Sequence, residues 1–111
     1  MTNPAKQRGS QWERDAIAYC NANGFPNMER RYGAGAQADK GDANGIDMVL
    51  EMKSLKAITL ASILDETEVE VANSRFDIGA AIIKRRGKGA SEAYFVMPLK
   101  WAVKLLKDAG Y

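Results

Sequence analysis

The stretch that most constrains this chain runs from Lys40 to Ser54 and reads KGDANGIDMVLEMKS. It begins with Gly, Asp and Asn residues, which favour reversals of the backbone. The apolar run that follows, from Ile46 to Met52, has the β-branched and long aliphatic side chains typical of a strand. The sequence therefore predicts a turn followed by a central strand over residues 46–53.

Charged side chains interrupt this predicted strand in a regular pattern. Because strand side chains alternate between two faces, Glu51 and Lys53 share a face and lie roughly 7 Å apart along the strand. The preceding turn supplies a second carboxylate at Asp42. Two carboxylates beside a positioned ammonium suit a site for a divalent cation. The opposite face of the strand is apolar and carries Met48, Leu50 and Met52.

The composition excludes several kinds of catalysis. The chain has no histidine, which removes Ser-His-Asp triads, Cys-His pairs and imidazole acid–base chemistry. Its single cysteine, Cys20, allows neither an internal disulfide nor a cysteine-based zinc site. Catalysis must then use carboxylates, lysines, hydroxyl groups or a metal held by oxygen ligands, and such ligands favour hard cations such as Mg²⁺ or Mn²⁺.

The spacing of Asp42, eight intervening residues and Glu51-x-Lys53 resembles the D…ExK signature of the PD-(D/E)XK nuclease superfamily. The chain looks most like its small phage-type members, the Holliday junction resolvases. The resemblance extends over most of the chain, through QWERDAIAYC, a helix after the ExK strand, IIKRRGKG and YFVMPLKWAVKLL. It implies a metal-dependent DNA endonuclease that hydrolyses phosphodiester bonds in branched DNA, with Mg²⁺ or Mn²⁺ as cofactor, and that acts as a homodimer with two sites.

The resemblance also assigns roles to individual residues. It makes Asp42, Glu51 and the backbone carbonyl of Met52 the metal ligands, and it counts Asp42, Glu51 and Lys53 as catalytic. Lys53 would orient or help to deprotonate the attacking water, or stabilise negative charge as it develops.

Other acidic residues have two interpretations. In related nucleases a Glu on the first helix often completes the metal site, which makes Glu13 a further candidate ligand. A capping box with Ser10 explains Glu13 equally well. Glu66 and Glu70 are one helical turn apart and could face either the site or solvent, and we expect both to face solvent.

An additional aspartate, Asp47, stands where such nucleases often have an apolar residue, which leaves open which Asp binds the metal. In an extended strand Asp47 lies roughly 13 Å from Glu51. Two ligands of one Mg²⁺, each about 2.1 Å from the ion, must come much closer together. The Asn44-Gly45 turn can fold Asp42 back across Glu51, so we expect Asp42 to be the ligand, with Asp47 as the alternative.

Basic residues are separated from acidic ones along the chain, which permits an acidic site with a basic rim. The net charge of +2 is itself weak evidence for nucleic acid. Arg30 and Arg31 alternate faces, so at most one should face a substrate. The predicted DNA contacts are Lys84, Arg85, Arg86, Lys88, Arg30 and Arg31.

The periodicity predicts an α/β fold, an α+β sandwich with a small mixed β-sheet flanked by helices. The resemblance to PD-(D/E)XK nucleases implies a restriction-endonuclease-like core for this sandwich. Trp12 and Trp101 are predicted to lie in the core. Residues 1–9 are predicted to form a flexible basic arm and residues 10–111 a single nuclease domain, with a loop over 33–44. The predicted order is α-β-β-α-β-β-α, with helices over 11–22, 57–74 and from Pro98, and strands over 28–32, 46–53, 78–84 and 93–97.

Two alternatives to a junction-cutting enzyme stay open. One is a non-catalytic nucleic-acid-binding module of the same fold, and the other is a nuclease that acts on other branched, nicked or single-stranded DNA. The sequence has no apolar run long enough for a membrane span, and its polar start does not resemble a signal peptide. We therefore expect no membrane partner and a cytoplasmic location, which is the host cytoplasm if the chain is phage-encoded.

Overall fold

A computed structural model of the chain describes residues 3–31 and 41–111. Within these ranges the chain forms an α+β fold of three helices and two small sheets. A short 3₁₀ turn, Ala90–Glu92, lies between the last two strands. In chain order the elements are α1 (Pro4–Ala22), β1 (Glu29–Arg30), β2 (Ala43–Asn44), β3 (Val49–Lys53), α2 (Leu60–Asn73), β4 (Gly79–Ile83), β5 (Tyr94–Val96) and α3 (Leu99–Asp108).

The larger sheet has three strands in the order β3-β4-β5. Strands β3 and β4 are parallel and end together, with Lys53 opposite Ile83, whereas β5 runs antiparallel to β4. The sheet is therefore mixed, as predicted. Strands β1 and β2 form a separate antiparallel pair.

Helices cover both faces of the three-stranded sheet. On one face, Trp12 of α1 packs in a cluster with Leu50 and Met52. On the other face, Val49 packs with Val71 of α2 and Trp101 of α3. The alternation of side chains along the central strand and the burial of both tryptophans are therefore confirmed.

The first helix begins earlier than the sequence indicated. It starts at Pro4, a residue suited to the first helical turn because its missing N–H needs no partner there. Most of the segment predicted as an arm is therefore helical. Ser10 lies inside the helix, so the prediction that Ser10 caps the helix with Glu13 is wrong.

The central strand is shorter than predicted because the chain is still turning at residues 45–48. Gly45 has φ +82°, and a Cβ at this position would clash with the Asn27 carbonyl oxygen. The prediction that Asp47 belongs to the strand is wrong, because Asp47 lies in this bend and is exposed.

Two other segments also differ from expectation. Ala43–Asn44, predicted as loop, pairs with Glu29–Arg30, so the order contains one more short strand than predicted. Helix α2 begins at Leu60 and not near residue 57. The rest of the predicted 33–44 loop up to residue 40, and the predicted strand end at Tyr32, lie outside the described residues. In residues 3–31 and 41–111, no helix has both the length and the apolar character needed to cross a membrane.

Candidate metal centre and basic groove

Gly41 allows the chain to pass close beside the free edge of β3. Its φ is +97°, and a Cβ there would lie only 3.0 Å from the carbonyl oxygen of Leu50. The next residue, Asp42, donates its backbone N–H to that same oxygen at 2.8 Å. The Asp42 carbonyl in turn accepts the Arg31 N–H at 2.8 Å. Asp42 is therefore fixed by its backbone on both sides.

The Asp42 side chain turns back onto β3. Its Oδ2 accepts a hydrogen bond from the backbone N–H of Met52 at 2.7 Å. Because the N–H and C=O of one strand residue point to the same side, the Met52 carbonyl also faces this edge. Burial and the negative charge of Glu51 raise the pKa of Asp42 to about 7, against the hydrogen bond from Met52. Asp42 and Glu51 therefore lie close enough to repel each other.

Glu51 is almost completely buried, with 4% of its surface exposed. Its Oε1 lies 3.0 Å from the ammonium of Lys53. Its Oε2 is buried, and in the described part of the chain no donor forms a hydrogen bond to it. A buried carboxylate oxygen normally has a partner, so this atom points to a ligand that residues 3–31 and 41–111 do not supply.

Helix α2 brings two more carboxylates to Glu51. Oxygens of Glu51, Glu66 and Glu70 all lie within 4.8 Å of one another. Glu66 and Glu70 are four residues apart and therefore share a face of the helix. Glu70 is only 1% exposed, so the prediction that it faces solvent is wrong, whereas Glu66 is exposed.

Lys53 connects these carboxylates. Its Nζ lies 3.2 Å from Oε2 of Glu66 as well as 3.0 Å from Glu51. Burial opposes the charge on Lys53, but the hydrogen bonds and charges of Glu51 and Glu66 outweigh it and raise the Lys53 pKa. Lys53 is therefore a cation at neutral pH and is suited to stabilising negative charge.

Glu13 of α1 lies near enough to Asp42 to affect its charge. Its negative charge contributes to the raised pKa of Asp42. Glu13 is also bound by Arg30, whose Nη2 lies 2.7 Å from Glu13 Oε2. Arg30 is therefore engaged within the acidic region. Arg31 is half-buried, and Asp47 is exposed in the bend before β3.

A groove of about 500 Å³ begins one residue beyond Lys53, at the end of β3. The carbonyl of Lys53 accepts the backbone N–H of Lys84 at 2.9 Å, which joins the groove to the acidic site. Lys88 is exposed and is not among the residues that line it. We call this groove the basic groove, because its walls include Arg8, Lys56, Lys84, Arg85 and Arg86.

The structure thus brings together most, but not all, of the residues predicted for a site. Glu70 was considered for the site but predicted to face solvent, although its spacing from Glu66 was a signal for a shared helix face. Arg8 and Lys56 were missed as groove residues, because each is distant in the sequence from the 84–86 turn and only the fold places it beside that turn.

Comparison with known proteins gave no match. No family model, no curated protein and no solved structure matches this chain. The interpretation of the site therefore depends on its residues and their geometry.

Proposed function

We propose that this protein is a metal-dependent nuclease that hydrolyses phosphodiester bonds in DNA, similar in mechanism to the PD-(D/E)XK enzymes that its sequence resembles. The observation that carries the proposal is the position of Glu51. Its buried Oε2 has no hydrogen-bond partner in the described residues, and an oxygen of Glu51 lies within 4.8 Å of oxygens of Glu66 and Glu70.

The local charge supports a cation at this place. Lys53 and Arg30 form ion pairs with members of an acidic group that consists of Glu13, Asp42, Glu51, Glu66 and Glu70. Buried carboxylates that lie close together repel one another, and a divalent cation between them offsets that cost. Hard cations such as Mg²⁺ and Mn²⁺ prefer the oxygen ligands that are present here.

Glu51 belongs to each of two alternative sets of candidate metal ligands. At the edge of β3, Glu51 would act with Asp42 and the Met52 carbonyl, as the sequence resemblance implies. On the α2 side, Glu51 would act with Glu66 and Glu70. When bound, a divalent ion supplies Lewis acidity and activates a water nucleophile.

The remaining contributions come from the chain itself. Lys53, held as a cation by two carboxylates, would stabilise the negative charge that develops on the phosphate. The basic groove would bind the sugar–phosphate backbone through Arg86, Lys84 and Lys56 and present the adjacent phosphate to Glu51 and Lys53. Contacts of this type fix the register of the substrate without reading its sequence.

Branched DNA as substrate and a two-fold dimer belong to the proposal by analogy alone. A junction must be cut on two strands, and a dimer with two-fold symmetry presents two equivalent sites.

The test is a cleavage assay with labelled four-way junction, duplex and single-stranded DNA in Mg²⁺, in Mn²⁺ and in EDTA. We expect metal-dependent cutting that is lost in Glu51→Gln. Glu68→Gln is the matched control, because Glu68 lies on α2 but pairs with Lys100 at 2.8 Å. DNA binding without cutting in either metal would overturn the enzymatic proposal and favour the non-catalytic binding module.

A further inference from the structure

An aromatic side chain stands in the wall of the basic groove. Tyr94 is the first residue of β5 and lines the groove. Half of its surface, 51%, is exposed, although tyrosine is one of the larger side chains available to a core. Its neighbour Phe95 is equally exposed but points to the opposite face of the strand and does not line the groove.

The Tyr94 ring is held by a basic residue of the same groove. The guanidinium carbon of Arg85 lies 5.1 Å from the ring centroid, which is within range for a cation–π contact. Arg85 also pairs with Glu92 at 3.6 Å. The ring and the guanidinium are therefore arranged in advance of any ligand.

The same groove has a second apolar wall. Leu55 and Ile58 lie in the segment between β3 and α2, line the groove and are 49% and 44% exposed. Phosphate groups alone would not require such a wall. An aromatic ring and aliphatic side chains under a rim of basic residues suit a ligand that has both a flat apolar part and a phosphate.

We propose that the basic groove binds an unpaired nucleotide of the DNA substrate. Its nucleobase would stack on Tyr94, and its phosphates would be held by the surrounding basic side chains. Within a duplex, the faces of a base are covered by its neighbours, so the groove would select single-stranded segments or branch points at which a base is unstacked. The inference rests on the proposed function, because it takes the partner to be DNA, and it defines the substrate class as DNA with unpaired nucleotides beside the cutting site.

The position of the groove favours a nucleotide over an acidic peptide. Ser54, which lines the groove, directly follows Lys53, and Lys84 of the groove donates to the Lys53 carbonyl at 2.9 Å. A nucleotide stacked on Tyr94 would therefore place its neighbouring phosphate toward the carboxylates and Lys53. An acidic peptide has no phosphate that this arrangement could place beside the carboxylates and Lys53.

The experiment measures binding without cleavage. Fluorescence anisotropy in EDTA would follow a labelled oligothymidylate of about 12 nucleotides, a length within the site sizes of single-strand binders. Loss of one stacked base corresponds to roughly 5- to 150-fold weaker binding. We expect Tyr94→Ala to show a loss in this range, Tyr94→Phe to bind like the original protein, and Phe95→Ala, the matched control, to show no loss.

Two further ligands complete the test. An abasic strand of the same length should bind equally to the original protein and to Tyr94→Ala, and duplex affinity should change little. Equal losses in Tyr94→Ala and Phe95→Ala, or a loss that persists on the abasic strand, would overturn the stacking role. Binding of polyglutamate as tight as that of the oligonucleotide would indicate a site for acidic peptides. Because no cleavage is measured, a protein that binds in this way but never cuts would contradict the nuclease proposal alone.

Discussion

The ammonium of Lys53 lies 3.0 Å from the buried carboxylate of Glu51, two residues earlier on the same strand. The two side chains share a face of β3, so the contact follows directly from the alternation of the strand. The contact holds Lys53 protonated beside a carboxylate whose second oxygen has no partner in the described residues.

Replacing Lys53 with alanine should abolish most cleavage while leaving DNA binding within a few-fold. Loss of one electrostatic catalytic group typically costs about 10²–10³ in rate. Single-turnover cleavage and anisotropy would separate the two effects. Lys100→Ala is the control, because Lys100 also pairs with a glutamate of α2, at 2.8 Å. Cutting by Lys53→Ala at the original rate would remove Lys53 from the mechanism.

A comparison of two aspartates tests the edge of β3 as the metal site. Asp42→Asn should lose both metal affinity, measured by calorimetry, and cutting, because Asp42 is fixed beside Met52 and Glu51. Asp47→Asn should keep most of each, because Asp47 is exposed in the preceding bend. The reverse result would move the site toward Asp47.

The alternative set of metal ligands lies on helix α2, and a substitution of Glu70 tests whether this set binds the ion. If the ion lies between Glu51, Glu66 and Glu70, Glu70→Gln should reduce the increase in melting temperature that Mg²⁺ or Mn²⁺ produces, because stabilisation follows metal affinity. Glu68→Gln should keep the full increase. A full increase in Glu70→Gln, with none in Asp42→Asn, would assign the ion to the edge of β3.

The local pattern of the sequence was sufficient to predict a central strand and its two faces, although the strand begins at Val49 and not at Ile46. Alternation placed Leu50 and Met52 on one face, which the structure packs against Trp12 of α1, and it placed Glu51 and Lys53 together on the opposite face. The Asn44-Gly45 turn was also predictable, because a residue with positive φ was needed there.

The composition of the site was less predictable, because it depends on which elements pack together. Glu70 is buried only because α2 lies across β3 and β4. The sequence pattern around Glu70 predicts an exposed helix face. Arg8 and Tyr94 are 86 positions apart in the sequence and meet in the groove only through the fold. Such long-range contacts leave no periodic signal in a single sequence.

The basic groove makes a prediction about salt dependence. Arg86→Ala should reduce the slope of log K against log salt concentration for duplex DNA by about 0.9, the effect of one lost phosphate contact. Lys88→Ala should leave the slope unchanged, because Lys88 belongs to the same turn but does not line the groove. Equal changes in both variants would show that DNA contacts the turn from outside the groove.

The raised pKa of Asp42 predicts how the metal-free protein responds to pH. Between the ordinary value of 3.8 and about 7, Asp42 is protonated when folded and ionised when unfolded. The unfolded state then binds fewer protons, so the free energy of unfolding should fall as pH rises through this window, by up to about 1.4 kcal/mol per pH unit. Urea denaturation in EDTA would measure this trend. Asp42→Asn should remove it and Asp47→Asn should retain it, whereas parallel curves for the original protein and Asp42→Asn would contradict the raised pKa.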